Sequence, residues 1–445
     1  MSIQLSDHFS YGRLIRFTLP SIGMMIFTSI YGVVDGLFVS NFAGKTPFAA
    51  VNLIWPVLMI LSTIGFMFGT GGSAIVAKLF GQGEKEKANQ CFSLFVYVAF
   101  SLGIVFAVAG VVFINPISRW MGAEGELLED CVTYGRIILS ALPFNILQFL
   151  FQSFFVTAEK PNLGLAVTVS SGVTNMVLDA ILVIFLPQEY KLAGAAVATG
   201  MSQLVGGIVP VIYFARRNSS ILRISRTIFD GTALLKAVTN GSSEFMSNVA
   251  MNLVSILYNI QLIHYAGEDG IAAYGVMMYI SFVFSAAFIG YSIGSAPIIS
   301  YHFGAQNTDE LKGLLKKSVI LVSVFGVCMI AAAEALAVPL SRIFVGYDSK
   351  LLELTVTGFR IFALSFLFMG LAIFASGFFT ALNDGLTSAL ISFLRTLVFQ
   401  VGAVMLLPMI WGIDGIWSSV IIAEFMAVVF SVIFLILKRE KYQYY

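Results

Sequence analysis

The sequence predicts an all-α polytopic membrane protein with twelve transmembrane helices, arranged as two parallel six-helix repeats. Composition is the first observation: 58% of the 445 residues are hydrophobic, only 11% are charged, and the mean hydropathy is +0.91. Soluble domains carry about 25% charged residues, so this chain cannot hide its apolar surface in water. The second observation is a series of long apolar stretches, and the third is an internal repeat.

The apolar stretches are long enough to cross a bilayer. A helix that spans the ~30 Å hydrocarbon core needs about 20 mostly apolar residues. Alternating β-barrel patterning is absent, so the spanning elements must be helices. The predicted spans lie at roughly 14–41, 49–79, 92–115, 132–157, 162–187, 192–215, 237–264, 271–302, 318–340, 354–381, 386–409 and 414–437.

The second half of the chain repeats the first. Residues 49–81 recur as residues 272–304 at a constant shift of 223, which places Gly81 opposite Gly304. The text VTYGR at 132–136 likewise recurs as VTGFR at 356–360, and QSFFVTA at 152–158 recurs as SGFFTA at 376–381. Six spans return the chain to its starting side, so the repeats are parallel and related by an axis along the membrane normal.

This repeat predicts the domain organisation. We expect an N-terminal lobe at 1–215, a basic linker at 216–236 and a C-terminal lobe at 237–445. Most Lys and Arg residues in the loops lie on the side of the termini, including those of the linker. By the positive-inside rule, we expect a multi-pass protein of the plasma membrane with both termini in the cytoplasm.

Several function classes are excluded by missing motifs. No G-x-x-x-x-G-K-[ST] phosphate loop, H-E-x-x-H zinc motif or nucleophile elbow occurs. The net charge of +1 argues against binding to nucleic acid. Two six-helix halves around a cleft are typical of alternating-access carriers, so we expect a transporter without a cofactor, driven by an H⁺ or Na⁺ gradient. An intramembrane enzyme is the alternative from another class.

Polar residues inside the spans point to an ion site. Asp35 lies in predicted span 1 and Asp179 in span 5, where a mid-membrane carboxylate costs at least ~2.5–3.5 kcal/mol. Asn175 lies four residues before Asp179, on the same helical face, and Thr199 begins span 6. These four oxygen-bearing side chains can hold Na⁺ or share protons. The alternative is a polar cluster that only holds three helices together.

The arrangement of these residues resembles the multidrug and toxic compound extrusion (MATE) family. The matching features are Pro20 before Asp35, N-x-x-x-D at 175–179, G-A-A-x-A-T at 194–199, and FGQGEKEKA after span 2. The resemblance implies the MATE-type fold. It also implies a coupling-ion site in the N-terminal lobe, at the positions Asp35, Asn175, Asp179 and Thr199. Pro20 removes a helix hydrogen bond and is a candidate hinge in span 1.

The C-terminal half departs from one branch of that family. The NorM-like branch places a second carboxylate site there, with a Glu in span 7 and an Asp in span 10. Predicted span 10 of this chain contains no acid. The resemblance is therefore to the DinF-like and MepA-like branch, and whether a second cation site exists is left open. The partners of Glu334, Arg395 and Glu424, which also lie within spans, are not predicted.

Polar stripes on spans 7 and 4 are candidates for the lining of a substrate cleft. Lipid cannot satisfy such a face, so each stripe must point to protein or to a watery cavity. Packing and cavity lining remain equally open for both stripes. The candidate cleft residues are Gln148, Gln152, Glu244, Asn248, Asn252 and Asn259.

The sequence as a whole predicts a secondary active multidrug exporter. The expected exchange is antiport of amphipathic, cationic organic compounds against H⁺ or Na⁺, and the expected partners are these small molecules and the lipid bilayer. We expect a monomer. A flippase for lipid-linked oligosaccharides is the alternative within the same superfamily, but it requires a cationic cleft to neutralise pyrophosphate rather than an acidic residue such as Glu244.

Overall fold

The computed structural model describes residues 3–444, and that range contains helices and connecting turns but no strand. The α-helices are Tyr11–Phe38, Lys45–Gly81, Lys85–Trp120, Gly125–Ser140, Leu142–Thr157, Pro161–Phe185, Lys191–Ala215, Gly231–Asn240, Ser242–Gly304, Thr308–Val345, Ser349–Ala363, Phe366–Ala381, Gly385–Phe393, Gln400–Leu406, Pro408–Trp411 and Ile413–Tyr442. Two π-helical turns, Val39–Ala43 and Leu394–Phe399, interrupt the series.

These helices form twelve spans, numbered 1 to 12 in chain order. Nine helical segments within residues 3–444 are long and apolar enough to cross a membrane, and two bent pairs add spans 4 and 10. The bends measure 53° in span 4 and 49° in span 10. The 63-residue helix Ser242–Gly304 contains two spans, because Gly267 breaks it with φ 64° and ψ −150°. A glycine tolerates this left-handed φ at no steric cost, so span 7 ends and span 8 begins there. The predicted twelve-span, two-repeat fold is confirmed.

Each half of the chain contributes a segment near its beginning to the core of the other half. Leu14 and Phe17 of span 1 are buried in a cluster formed mainly by spans 7 to 12. Ala233 and Ala237, which precede span 7, are buried in the cluster of spans 1 to 6. The shift of 223 relates Leu14 to Ala237, so the exchange follows the sequence repeat. The helix Gly231–Asn240 therefore begins inside the segment predicted as a linker.

Glycines bring the two halves into close contact on the side that holds both termini, which we call the terminal side. A Cβ atom at Gly81 of span 2 would collide with the carbonyl oxygen of Tyr301 in span 8. A Cβ atom at Gly304 would collide with the carbonyl oxygen of Lys78, which is the same contact seen from the other half. Only glycine fits at these two positions, so the backbones of spans 2 and 8 are in direct contact. The cleft between the halves is therefore closed on the terminal side.

The segment before span 1 also joins the two halves. The amide of Leu5 donates a 2.7 Å hydrogen bond to Glu159, in the turn between spans 4 and 5. The amide of Phe9 donates a 2.9 Å bond to Glu310 at the start of span 9, and His8 lies 2.6 Å from the same carboxylate. Leu5 and Phe9 are fully buried. This N-terminal segment thus anchors to both halves when the terminal side is closed.

Candidate functional site

Span 1 carries Asp35 away from the terminal side. Ser10 caps the helix by accepting from the amide of Arg13, and the helix continues through Pro20 to Phe38 before the π-helical turn. The 24 residues from Tyr11 to Asp35 correspond to about 36 Å of helix at ~1.5 Å per residue. Pro20 removes one backbone hydrogen bond without interrupting the helix in this structure. A hinge at Pro20 therefore stays a prediction.

The structure brings the four predicted ion-site residues together. The hydroxyl of Thr199 donates to Oδ1 of Asp35 at 3.4 Å, and the Nδ2 group of Asn175 donates to the Thr199 hydroxyl at 3.3 Å. Asp35, Asn175 and Asp179 are all buried. Spans 1, 5 and 6 thus meet at one polar cluster, which we call the N-half site: Asp35, Asn175, Asp179 and Thr199.

The N-half site has fewer hydrogen-bond donors than its carboxylates require. Both carboxylate oxygens of Asp179 are buried and have no donor within hydrogen-bonding distance. Its ionisable neighbour is Asp35, and a hydrogen bond between two carboxyl groups requires that one of them carries a proton. Among the side chains that the structure describes, no Lys, Arg or His forms an ion pair with either. Such a pair suits one added positive charge, either a proton or a small cation.

The described residues offer no site for a metal ion of the zinc type. Residues 3–444 contain no group of three or more His, Cys, Asp or Glu side chains that could hold a metal ion. The N-half site offers instead two carboxylates, an amide and a hydroxyl. Oxygen ligands of this kind suit a hard cation, and carboxylates also accept protons.

Tyrosines near the N-half site were not predicted from the sequence. Tyr134 is buried in span 4, where Asp35 and Asp179 are its charged neighbours. It belongs to the repeated text VTYGR, which indicated the duplication but not a site. Tyr31 lies one turn before Asp35, and Gln148 donates to its hydroxyl at 3.4 Å. Tyr31 could have been predicted near the site, because it lies four residues before Asp35 and therefore on the same face of the helix.

The candidate cleft residues divide into two groups. On span 7, Glu244, Asn248, Asn252 and Asn259 are all partly exposed. The side chains of Asn248 and Asn252 donate to backbone oxygens one turn earlier in their own helix, at 2.9 Å each. This leaves the carboxylate of Glu244 as the ionisable group of the stripe.

The two glutamines of span 4 lie inside the first half instead. Gln148 and Gln152 are buried, and three of their four polar side-chain atoms have no hydrogen-bond partner. The side chain of Gln148 also contacts the position where Gly206 lacks a Cβ atom in span 6. Lining of the substrate cleft by these two residues stays a prediction.

The structure assigns the partners of the remaining membrane charges. Nε and Nη2 of Arg395 in span 11 donate to both carboxylate oxygens of Glu424 in span 12, at 2.8 to 2.9 Å. Glu334 of span 9 pairs instead with Arg360 of span 10 at 3.3 Å. The first pair is enclosed, with side chains 17% and 5% exposed, whereas those of Arg360 and Glu334 are 50% and 43% exposed.

The chain is similar to known proteins over its whole length. The MatE family profile matches residues 20–181 and 245–405, once in each half. The multidrug export protein MepA of Staphylococcus haemolyticus (strain JCSC1435) is 26% identical over 416 residues, which cover 93% of this chain and 90% of that protein. The protein of the same name from Staphylococcus aureus (strain MRSA252) is 24% identical over 437 residues, covering 97% and 94%.

Solved structures match the fold equally well. One is described as the outward-facing conformation of a multidrug resistance MATE family transporter of the MOP superfamily. It has a TM-score of 0.92 and 20% identity, covering 99% of this chain and 98% of that one. A MOP superfamily transporter from Pyrococcus furiosus has a TM-score of 0.90 at 20% identity, with coverage of 98% and 97%. At this identity the likeness establishes the fold.

Proposed function

This chain belongs to the MatE family of membrane transporters and is not an enzyme, and from that premise we propose that it exports amphipathic, cationic organic compounds by antiport against H⁺ or Na⁺. Its relatives named MepA are multidrug export proteins, which supports the substrate class. We further propose that it acts as a monomer in the plasma membrane with its terminal side in the cytoplasm, as the distribution of Lys and Arg in the loops favours.

The N-half site is the observation that carries the coupling. Its two carboxyl groups are buried, and no described Lys, Arg or His side chain forms an ion pair with either. Both oxygens of Asp179 lack a hydrogen bond from any group other than a protonated Asp35. A buried carboxylate in this state is costly, so the site binds a positive charge with a large gain in free energy. An arrangement of this cost, placed where three spans meet, is better explained by ion binding than by helix packing.

Binding at the N-half site biases the arrangement of the two halves. A ligand shifts a conformational equilibrium only by its differential affinity for the two states. Asp35 lies on span 1, whose start is buried in the core of the second half. A proton or Na⁺ that joins Asp35 to spans 5 and 6 therefore acts on the helix that connects both halves. Pro20 lies between the two regions and allows span 1 to bend between them.

Glu244 supports the choice of a cationic substrate. It is the ionisable member of the span 7 stripe and is partly exposed. A carboxylate in a cleft with apolar walls attracts organic cations. A flippase for lipid-linked oligosaccharides requires cationic groups at this place, and dye export under ion gradients separates the two functions.

The coupling is tested in proteoliposomes under separately imposed Na⁺ and H⁺ gradients. Asp35→Asn and Asp179→Asn each remove one carboxylate of the N-half site while keeping its size, and we expect both to abolish gradient-driven dye efflux. Asp414→Asn is the matched control, because Asp414 is exposed at the start of span 12. Near-normal coupled efflux in both site variants contradicts the proposal. The gradient that drives the wild-type protein identifies the coupling ion.

A further inference from the structure

The second half has no carboxylate at the positions that match the N-half site. The repeat shift of 223 relates Asp35 to Tyr258 in span 7. In spans 5 and 11, the left-handed residues Glu159 and Asn383 fix a shift of 224 at the start of each span. The residue added by the π-helical turn Leu394–Phe399 raises the shift to 225 beyond it, so Asp179 corresponds to Val404. In spans 6 and 12, Gly194 and Gly415 give a shift of 221, so Thr199 corresponds to Val420.

A buried ion pair lies beside these matched positions. By the same shifts, Arg395 corresponds to Ser171 and Glu424 to Gln203. In the first half, Ser171 donates to the carbonyl oxygen of Ser202 at 2.7 Å, so spans 5 and 6 are joined there without charge. The second half replaces this neutral contact with a bidentate pair about one helical turn closer to the terminal side than the position matching Asn175.

Arg395 satisfies the carboxylate of Glu424 from both sides. It forms three hydrogen bonds of 2.8 to 2.9 Å with the two carboxylate oxygens. Tyr258, at the position matching Asp35, has Glu424 among its charged neighbours. The second half therefore contains a buried carboxylate paired with a cation that is covalently part of the chain. In the first half, no described Lys, Arg or His side chain forms an ion pair with Asp35 or Asp179.

We propose that the guanidinium of Arg395 is a permanent internal cation that takes, in the second half, the place that the exchangeable coupling ion takes in the first. Arg395 is then a positioning residue that keeps Glu424 neutralised throughout the transport cycle. Since a guanidinium stays protonated in proteins and cannot leave, only the N-half site exchanges an ion. The inference rests on the proposed antiport and fixes its stoichiometry at one monovalent cation per substrate.

The local backbone supports a specialised role for this arginine. Arg395 lies in the π-helical turn Leu394–Phe399, which interrupts span 11. Such turns add a residue to a helix and are frequent at functional sites. The added residue brings Gln400 to the position matching Asn175, where it faces the phenol of Tyr258. The second half thus has uncharged polar side chains, Tyr258 and Gln400, at the positions that match Asp35 and Asn175. Its charged pair lies beside these positions.

The stoichiometry is measured as the steady-state gradient of a monovalent cationic dye, ethidium, in proteoliposomes. The membrane potential is clamped at zero with K⁺ and valinomycin, and a tenfold gradient of the coupling ion is imposed. Exchange of one ion supports a dye gradient of about tenfold, and exchange of two ions supports about a hundredfold. We expect about tenfold for the wild-type protein and no ion-driven gradient for the double variant Asp35→Asn/Asp179→Asn. A hundredfold gradient in the wild type, or residual ion-driven accumulation in the double variant, overturns the inference.

Variants of Arg395 test the internal cation directly. Arg395→Gln leaves Glu424 free to take up a second exchangeable cation, so the dye gradient should rise towards a hundredfold. Arg395→Lys keeps the charge, and Arg360→Gln changes the exposed pair of the same half; both should stay near tenfold. An unchanged gradient in a folded Arg395→Gln protein contradicts the inference, and if that variant does not fold, the wild type and the double aspartate variant decide. A wild-type protein that builds no dye gradient under either ion gradient disproves the antiport itself, which is a distinguishable result.

Discussion

The two halves of this transporter share one helix order but treat buried charge in opposite ways. In the first half, Asp179 is fully buried and has no donor for either carboxylate oxygen. In the second half, Glu424 is equally enclosed, but Arg395 satisfies both of its oxygens. The duplicated scaffold therefore carries one cluster with unsatisfied carboxylate oxygens and one whose carboxylate is paired with an arginine. Under the proposed antiport, the first is expected to couple transport and the second to hold the fold.

The largest expected difference between the halves is in stability. Glu424→Gln leaves the guanidinium of Arg395 enclosed without its carboxylate, and breaking such a pair costs about 3–5 kcal/mol. Asp179→Asn removes a carboxylate that no donor satisfies, so we expect no loss of stability in that variant. Thermal unfolding of the purified proteins in detergent measures both. Equal destabilisation by the two substitutions contradicts the distinction between a coupling site and a structural pair.

The glycine contacts predict a second effect, in which the halves should behave alike. Gly81→Val and Gly304→Val each place side-chain atoms against the backbone of the opposite half. Overpacking of this kind costs about 1–3 kcal/mol, which disfavours the state closed on the terminal side. We expect the rate of dye efflux to fall by about 5–150-fold in both variants. Gly275→Val is the control, because a Cβ atom at Gly275 meets nothing within 4 Å. A fall in the efflux rate in only one of the two variants contradicts the expectation that the two halves behave alike.

Glu244 sharpens the comparison in the cleft. The shift of 223 relates it to Ser21, so the charge on the span 7 stripe has no counterpart in the first half. Glu244→Gln should lower the export of cationic dyes by about tenfold, or ~1.4 kcal/mol, and leave neutral compounds nearly unchanged. Initial efflux rates for a matched pair of dyes measure this, with the exposed Glu268→Gln as the control. Equal losses for both dyes assign Glu244 a structural role.

The sequence predicted the spans and the N-half site because both depend on local pattern and on spacing along the chain. Apolar length defined the twelve spans, and the family-like order of Pro20, Asp35, Asn175, Asp179 and Thr199 indicated which polar residues meet. The bends in spans 4 and 10 were not predicted. Within span 4 the break falls at Ala141, just before Pro143, and an apolar run gives no sign of the angle there.

The partners of the charged residues within the spans could not be predicted from the sequence, for a geometric reason. Arg395 and Glu424 are separated by 29 residues and lie on different spans, so their contact depends on how spans 11 and 12 rotate against each other. Glu334 was an equal candidate for Arg395 until the structure paired it with Arg360. The π-helical turn that sets the direction of Arg395 also has no signature in the text LRTLVF. The positions of the two halves can be matched beyond this turn only when the residue that the turn adds is taken into account.

The smallest expected effect concerns how the fifth span of each half begins. Span 5 starts after Lys160, whose side chain makes no capping bond, whereas span 11 starts after Asp384. Asp384 accepts from the amide of Thr387 at 3.2 Å and from Tyr442 at 2.7 Å. Asp384→Ala should therefore destabilise the start of span 11 by about 1 kcal/mol, while Lys160→Ala should have little effect. Hydrogen exchange of the amides at 385–388 and 162–164 reports each end separately.

The same cap predicts a direction for the pH dependence of the second half. Burial by itself raises the pKa of Asp384, but hydrogen bonds from Tyr442 and Thr387, together with Lys438 at 3.6 Å, outweigh it and lower the pKa. An acid whose pKa is lowered by folding stabilises the fold above its unfolded value of about 3.9. That stabilisation is lost as the pH falls through the folded pKa, so amide protection at 385–388 should decline only below about pH 4. Protection at 162–164, where no carboxylate caps the helix, should not follow this titration. A parallel decline at both ends assigns the loss to global acid unfolding and removes the cap as its cause.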